Sequence, residues 1–303
     1  MDSISRLLVC LAGRNSDDAI LKYTAKLAEV LPVQKIYFLH AVRSLEIPKE
    51  TMKEFGDVLA PLDEAIIRDV ETQVNQHFDI SSIDYEIDVR EGKPSEIILK
   101  WAKIKQVDLV LIGRESGNPH PMLKAGRVAG LSTTSVLFIP SDVEPEMKNI
   151  LVGVDFSENA SLALNAAQSL SEKSGARVEG VHVYSLPQGY HKTGKSKKDF
   201  AAIMEKHARK EASGFMKDSP FPELEITYLL NAGSRTIKEE IIAHAHQQET
   251  DLLIIGSKGR SPMAAVLLGS VAEQCLKEEQ HIPILIVKKP NENMNFFQAL
   301  MQV

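Results

Sequence analysis

The chain is poor in the features that mark secreted, membrane-spanning or nucleic-acid-binding proteins. Its 303 residues include only two cysteines, Cys10 and Cys275. Two thiols build no disulfide framework, so the expected setting is a reducing, cytoplasmic one. No apolar run approaches the roughly 18 residues that cross a bilayer. Met1-Asp2-Ser3 opens no basic and apolar leader, so no secretory signal is expected either. A formal net charge of −6 argues against a general nucleic-acid binder, which carries a basic face. The one tryptophan, Trp101, lies in an apolar helical stripe and is expected in the core, not as a stacking platform. Catalytic and metal-binding patterns are equally sparse. His244 and His246 are two apart on an expected helix and do not share a face, and His40 and His182 sit at matching strand ends as satisfied strand histidines. No nucleophile–base pair accompanies the carboxylates, and neither G-x-G-x-x-G nor the P-loop spacing occurs. With hydrophobic residues at 44% and charged residues at 25%, the remaining class is a soluble globular protein long enough for two domains.

What is present centres on Ile254–Val287. Leu252–Ile255 is a buried strand pattern ending at Gly256. Gly259 follows, then Gly269-Ser270 at the start of a helix expected over Val271–Glu279, then a second buried strand, Ile284–Val287. Glycine allows close backbone approach, and a helix start offers unpaired N–H groups and a positive dipole end. The form G-x2-G-x9-G-S therefore suits a phosphate. A plain turn fits the spacing as well.

The chain is also a repeat. Leu7–Leu11 matches Ile150–Val154, Ile36–Ala41 matches Val178–Val183, and Asp108–Gly113 matches Asp251–Gly256. The offset is about 142 residues and drifts at loops. Each copy alternates strands with helical patterns. In the first, Leu62, Ile66, Val70, Val74 and Phe78 form an apolar stripe, and Gly92-Lys93-Pro94 breaks the chain before a helix. Such alternation predicts α/β domains with parallel sheets covered on both faces. Domain one spans 1–140, a polar linker Ser141–Lys148 follows, domain two spans 149–290, and an apolar tail closes the chain over 291–303. That tail, around Phe296-Phe297, is expected to cover leftover surface or to join two chains.

In domain two, Val154-Asp155-Phe156-Ser157-Glu158 places a carboxylate at a strand end. Asp155 suits ribose hydroxyls, or it caps the following helix, a role Ser157 fills equally. Lys192, Lys195, Lys197 and Lys198 form a basic run expected in a solvated loop.

Gly256, Gly259, Gly269-Ser270, Val271-Ala272-Glu273 and His281–Val287 resemble the nucleotide-binding end of the universal stress protein family. The resemblance extends over nearly the whole chain, once per copy. It implies two tandem Rossmann-like domains of the adenine nucleotide α-hydrolase-like type, each a five-stranded parallel sheet of order 3-2-1-4-5. Strands 1 and 4 of that order border a crevice at their carboxyl ends. The resemblance further implies ATP or another adenine nucleotide as ligand, with Mg or Mn as accompanying ion. Gly153, Val154 and Val183 would line the base pocket, and Asp155 would face the adenosine. Gly256, Lys258, Gly259, Arg260, Gly269, Ser270 and Val271 would lie on the phosphate side. Domain one departs at each point: Ala12 replaces the carboxylate, with Gly13-Arg14 after it. Its loop has Ser116 for the second glycine and Arg127 after Gly126, with Glu115, Pro119 and Pro121 nearby. One ATP, held by domain two, is therefore expected, in a protein with a regulatory or stress-response role. The alternatives are a slow ATPase or self-phosphorylating enzyme, with Ser270 or Ser257 as acceptor, and an interaction module whose nucleotide is incidental. Family members pair through the last edge strand. Val136–Ile139 and Ile284–Val287 are thus expected to join the copies as an intramolecular pseudo-dimer, leaving a homodimer of tandem chains open. No nucleic-acid or membrane partner is expected.

Overall fold

A computed structural model describes residues 4–13, 16–44, 62–77, 83–115, 126–194, 196–233, 235–260 and 267–289. Arg14, Phe78, Ser116, Pro119, Pro121, Lys195 and the tail beyond residue 289 lie outside these. Domain one runs β1 (Arg6–Leu11), α1 (Ser16–Val30), β2 (Lys35–Val42), α2 (Leu62–His77), β3 (Asp84–Glu91), α3 (Pro94–Ile104), β4 (Leu109–Arg114) and β5 (Ser135–Pro140). A short helical segment, 126–131, precedes β5. Domain two repeats the order: β6 (Asn149–Gly153), α4 (Glu158–Ser174), β7 (Arg177–Ser185), α5 (Lys197–Phe215), β8 (Ile226–Asn231), α6 (Ile237–Gln247), β9 (Leu252–Gly256), α7 (Ser270–Glu278) and β10 (Ile284–Val287).

Local chemistry sets the boundaries. α4 begins behind Ser157, whose side chain accepts from Ala160 N, and stops at Gly175 with φ 71°, a left-handed turn that glycine adopts without strain. α6 opens with a reciprocal capping box between Thr236 and Glu239. Lys197 and Lys198 belong to the first turn of α5, capped by Ser196. The basic run is therefore part helix, because Ser196 supplies the helix start. The repeat extends to single atoms. Asp108 accepts from Ser5 N and Arg6 N at 2.8 Å, and Asp251 accepts from Lys148 N and Asn149 N at 2.8 Å. Each carboxylate ties the start of its domain's first strand to the start of the strand three crossovers later.

The strands form one sheet of order β3-β2-β1-β4-β5-β10-β9-β6-β7-β8. Each half has the order 3-2-1-4-5 with parallel neighbours. The halves meet at β5 and β10, which pair antiparallel. Leu137 faces Leu285, flanked by Val136 with Ile286 and Phe138 with Ile284. Leu137 and Leu285 are equivalent positions of the repeat and the two flanking pairs interchange under it, so a pseudo-twofold axis passes through the leucine pair. The apolar runs are buried on both faces, as a covered parallel sheet demands. One core lies under α1, α2 and α4, and the other under α3, 126–131, α6 and α7; both contain residues of each domain. Trp101 is half-buried against the second core, with the Arg90 and Lys105 side chains over its ring. No helix among the described residues is long and apolar enough to cross a membrane.

Candidate functional site

In domain two the strand order reverses between β6 and β9, whose crossovers leave in opposite directions. A crevice must open at their carboxyl ends, and a cavity of about 570 Å³ lies there. Its apolar wall is made by Val154, Val181, Val183, Ile255 and Leu268, and by Ile237 and Ile241 of α6. Its polar end is made by Asp155, Lys258, Arg260 and Ser270, with Gly153, Gly256, Gly259, Gly269 and Val271 between. Every residue that the sequence assigned to the site borders this one space. A larger cleft, about 840 Å³, lies between α5 and the edge strand β8. It is walled by side chains such as Arg209, Met216 and Tyr228, and neither the glycine turn nor the start of α7 opens into it. The smaller cavity is the better candidate.

The first polar corner is the turn after β6. The strand ends at Gly153, short of the expected Asp155, because the backbone swings to a left-handed conformation at Phe156, φ 62°. Ser157, not Asp155, caps α4. The Asp155 carboxylate accepts from Ser157 N through Oδ1 at 3.0 Å. Its other oxygen is directed at the glycine turn: a Cβ on Gly259 would lie 2.7 Å from Asp155 Oδ2.

The second corner is the turn after β9 and the start of α7. Gly269 N donates to Ser257 O at 2.7 Å, which lays the helix start over the turn. A Cβ on Gly269 would stand 3.1 Å from Ser257 O. Gly256 has a packing role besides the expected one. Its Cβ would meet Asn159 Cβ at 2.8 Å, so the glycine lets α4 pack on the strand end while also bordering the cavity. α4, α5 and α6 each open behind a Ser or Thr side chain that caps them. α7 opens at Gly269, which has no side chain to cap. The first-turn N–H groups of α7 therefore lack a side-chain cap at the polar end of the cavity.

Several residues escaped the sequence reading. Ile237 is 39% exposed, an unusual place for isoleucine in a first helical turn, and it faces the cavity; that exposure is a signal no periodicity carries. His182 is more than a satisfied strand residue. Its Nδ1 donates to Val154 O at 2.7 Å, its ring stacks on Phe156 at 4.4 Å, and it borders the cavity. Burial is the main force holding its pKa below the ordinary histidine value, with Arg260 adding to it, so the ring is neutral at pH 7. Arg260 reaches back from the turn: Nε donates to Asp155 O, Nη2 pairs with Glu211 of α5 at 2.8 Å, and the guanidinium lies over Phe156. Ser257 is fully buried, which removes it as an accessible phosphate acceptor. His244 and His246 go to different carboxylates, Glu179 at 2.8 Å and Glu279 at 2.7 Å.

The corresponding turn of domain one is filled from within. Asp17, 2% exposed, accepts from Ala12 N at 3.0 Å and Gly13 N at 2.7 Å. His40 Nδ1 donates to Leu11 O at 3.1 Å, as His182 does to Val154 O. Arg114 stands where domain two has Ser257 and points away from the turn, donating into domain two.

Known proteins share this architecture. A universal stress protein MJ0577 of Methanocaldococcus jannaschii is 29% identical over 160 residues, 48% of this chain and 96% of that protein. A functionally unknown protein from Pseudomonas aeruginosa superposes with a TM-score of 0.71 at 13% identity, over 99% of this chain and 97% of that one. A universal stress protein from Archaeoglobus fulgidus gives 0.62 at 18% identity, over 95% and 98%. At these identities the structural likeness concerns the fold. The model of the Universal stress protein family matches twice, over residues 3–136 and 146–288. The chain is a member of the universal stress protein family, with two tandem domains of that fold.

Proposed function

We propose that domain two binds one ATP, or another adenine nucleotide, per chain, and that the protein acts as a regulatory nucleotide-binding protein in the stress response. The observation that carries this reading is the pairing of the Asp155 carboxylate with the Gly259 turn under the uncapped start of α7. A Cβ at Gly259 would meet Asp155 Oδ2 and one at Gly269 would meet Ser257 O, so a side chain at either position would force apart the two corners that hold the phosphates in this reading. The base would rest on Val154, Val183 and Ile237, the ribose against Asp155, and the phosphates on the turn and helix start, with Lys258 and Ser270 alongside. Magnesium or manganese would accompany the triphosphate. Domain one keeps its Asp17 carboxylate on its own loop amides, which supports a single site per chain.

The pairing of β5 with β10 supports reading the chain as a pseudo-dimer in one polypeptide. The two buried, unpaired thiols support a cytoplasmic setting. Calorimetric titration of the full chain with ATP tests the binding claim. One ATP per chain is expected, lost in Asp155→Ala. Two sites, or undiminished binding by that variant, would overturn it. Ser270 borders the cavity, so a slow enzymatic reading has an acceptor; multiple-turnover phosphate release that Asp155→Ala removes would favour that reading.

A further inference from the structure

α7 carries the helix start that the binding reading assigns to phosphate, and domain one grips it at both ends. At its exit stands Arg114, the last residue of β4, only 4% exposed. Its Nη1 donates to Glu279 O at 2.6 Å and to Leu276 O at 3.5 Å, and its Nη2 donates to Ile282 O at 2.7 Å. These are the final carbonyls of α7 and of the turn into β10. They are groups a helix end leaves without partners, and the negative end of its dipole favours a cation there. Burial lowers the Arg114 pKa to about 10, against the pull of Glu279 and Asp142, so the side chain is charged at neutral pH.

At the entry of α7, Leu267 and Leu268 immediately precede Gly269. They lie against the helical segment 126–131 of domain one: a Cβ on Gly130 would be 3.4 Å from Leu267 Cβ and 4.0 Å from Leu268 Cβ. Leu268 also borders the cavity. The reverse contact exists too. Lys288, just beyond β10, donates to Gly130 O at 3.1 Å and Ser132 O at 2.8 Å, the exit of 126–131. The two domains therefore exchange cations, each domain closing the end of the other's loop-following helix.

We propose that domain one is the positioning element of the nucleotide site in domain two. Arg114 acts as a positioning residue that sets the placement of α7, and through it the affinity for the phosphates. The proposal rests on the binding reading above. It gives a function to the copy that lacks an adenosine carboxylate: among the described residues, that copy lends none to the cavity wall but holds the helix that borders it. It also specifies which part of the ligand feels the coupling, because α7 starts at the phosphate end while the base rests on β7 and α6.

The test compares ATP with adenosine, both titrated calorimetrically into the full chain. Arg114→Met should weaken ATP by about threefold to thirtyfold, the usual range for a coupling residue outside the site, and leave adenosine unchanged. Arg114→Lys, which keeps the charge and loses the fork, should recover part of the ATP affinity. Lys288→Met disturbs the same interface from the other side and should leave the ratio of the two affinities near that of the parent. Equal weakening of both ligands, or a Lys288→Met effect as large as that of Arg114→Met, would mean general loosening and would overturn the proposal. A second measurement needs no variant. In the unaltered chain, ATP should slow amide exchange in residues 128–132 of domain one, since coupling between sites is reciprocal. Protection confined to domain two would overturn it as well. A chain that takes up neither ATP nor adenosine refutes the binding reading itself, whereas ATP binding that ignores Arg114 refutes only the positioning role.

Discussion

The turns after β1 and β6 share a left-handed residue, Gly13 at φ 70° and Phe156 at φ 62°, and differ in the side chains around it. Both are followed by a helix and backed by a histidine whose Nδ1 donates to the strand-end carbonyl. In domain one a carboxylate from the first turn of α1, Asp17, folds back onto the loop amides, and glycine leaves the His40 ring within 3.0 Å of where a Cβ would be. In domain two Ser157 caps the helix, which frees one oxygen of Asp155 for the glycine turn, and Phe156 stacks on His182. A non-glycine residue in that conformation costs roughly 1–2 kcal/mol. Domain two accepts this cost and gains a ring that packs on His182 and Phe215 and lies under Arg260. The two turns therefore differ in what their carboxylates satisfy: Asp17 takes the loop amides of domain one, whereas in domain two Ser157 takes the helix start and Asp155 keeps one oxygen toward the glycine turn.

The largest effect that would break or sharpen this contrast is on binding. Glutamate at position 259 puts atoms within 2.7 Å of Asp155 Oδ2 and sets a like charge beside it. Such a juxtaposition costs several kcal/mol. Gly259→Glu should thus lower ATP affinity by roughly a hundredfold or more. The colliding atom is the tip of a side chain, so circular dichroism should remain that of the parent. The converse change, Ala12→Asp, should not create a second site, because Asp17 still holds the loop amides. A second ATP taken up by Ala12→Asp would show that the missing carboxylate alone separates the copies.

Next in size is the seam. Leu137 and Leu285 face each other on the pseudo-twofold axis, 1% and 2% exposed. Truncating either to alanine should cost about 2–5 kcal/mol. Their equivalent places predict similar costs, and a double variant should fall short of additivity because the two share a cavity. Denaturant unfolding checks this. If Leu285→Ala shifts one transition while domain one melts unchanged in a separate one, the cores do not behave as the shared units they form across the sheet.

Much of this was legible in the residues. Apolar runs such as Val110–Ile112 and Leu252–Ile255 became central strands because a sheet covered on both faces leaves them no polar side. The repeat located the crevice once a strand order was supplied. Periodicity could not supply that order: 3-2-1-4-5 depends on which crossovers go which way, and it came from the family resemblance. Gly256, Gly259 and Gly269 border the cavity, but Gly256 also packs on Asn159, a contact set by α4 nearly a hundred residues away. For the same reason Ile237 and Ile241 were missed at the cavity, and Arg260 was assigned to phosphate without its partner Glu211. Tertiary neighbours brought by α4, α5 and α6 decide these roles.

A smaller effect concerns α6, which carries Ile237 and Ile241 to the cavity. Its capping box has Thr236 N donating to Glu239 Oε2 at 2.6 Å and Glu239 N donating to Thr236 Oγ1 at 3.4 Å. Thr236→Ala should cost about 1 kcal/mol of stability. It should also weaken adenosine and ATP alike, since the fraying end holds apolar wall and not the phosphate turn. A variant that weakened ATP alone would place the triphosphate, not the base, against α6.

The smallest effect is a pH dependence at the histidine-backed turn of domain two. Burial against Phe156, aided by Arg260, lowers the pKa of His182, with the Val154 carbonyl opposing that shift. The folded protein therefore resists protonation at this ring more than the unfolded chain, whose histidines titrate near about pH 6.5. Below that value the unfolded state binds the proton first, so stability falls with acidification. The contribution is complete above the unfolded value and is lost as pH falls toward the lowered one. His182→Gln removes the titrating group. It should lower stability at about pH 7.5 by removing the Phe156 stack, and should then lose less stability than the parent on going to about pH 5.5. Thermal unfolding of both proteins across that range measures the difference. Parallel curves would show that His182 carries no proton linkage, and that the stacked ring serves the turn by shape alone.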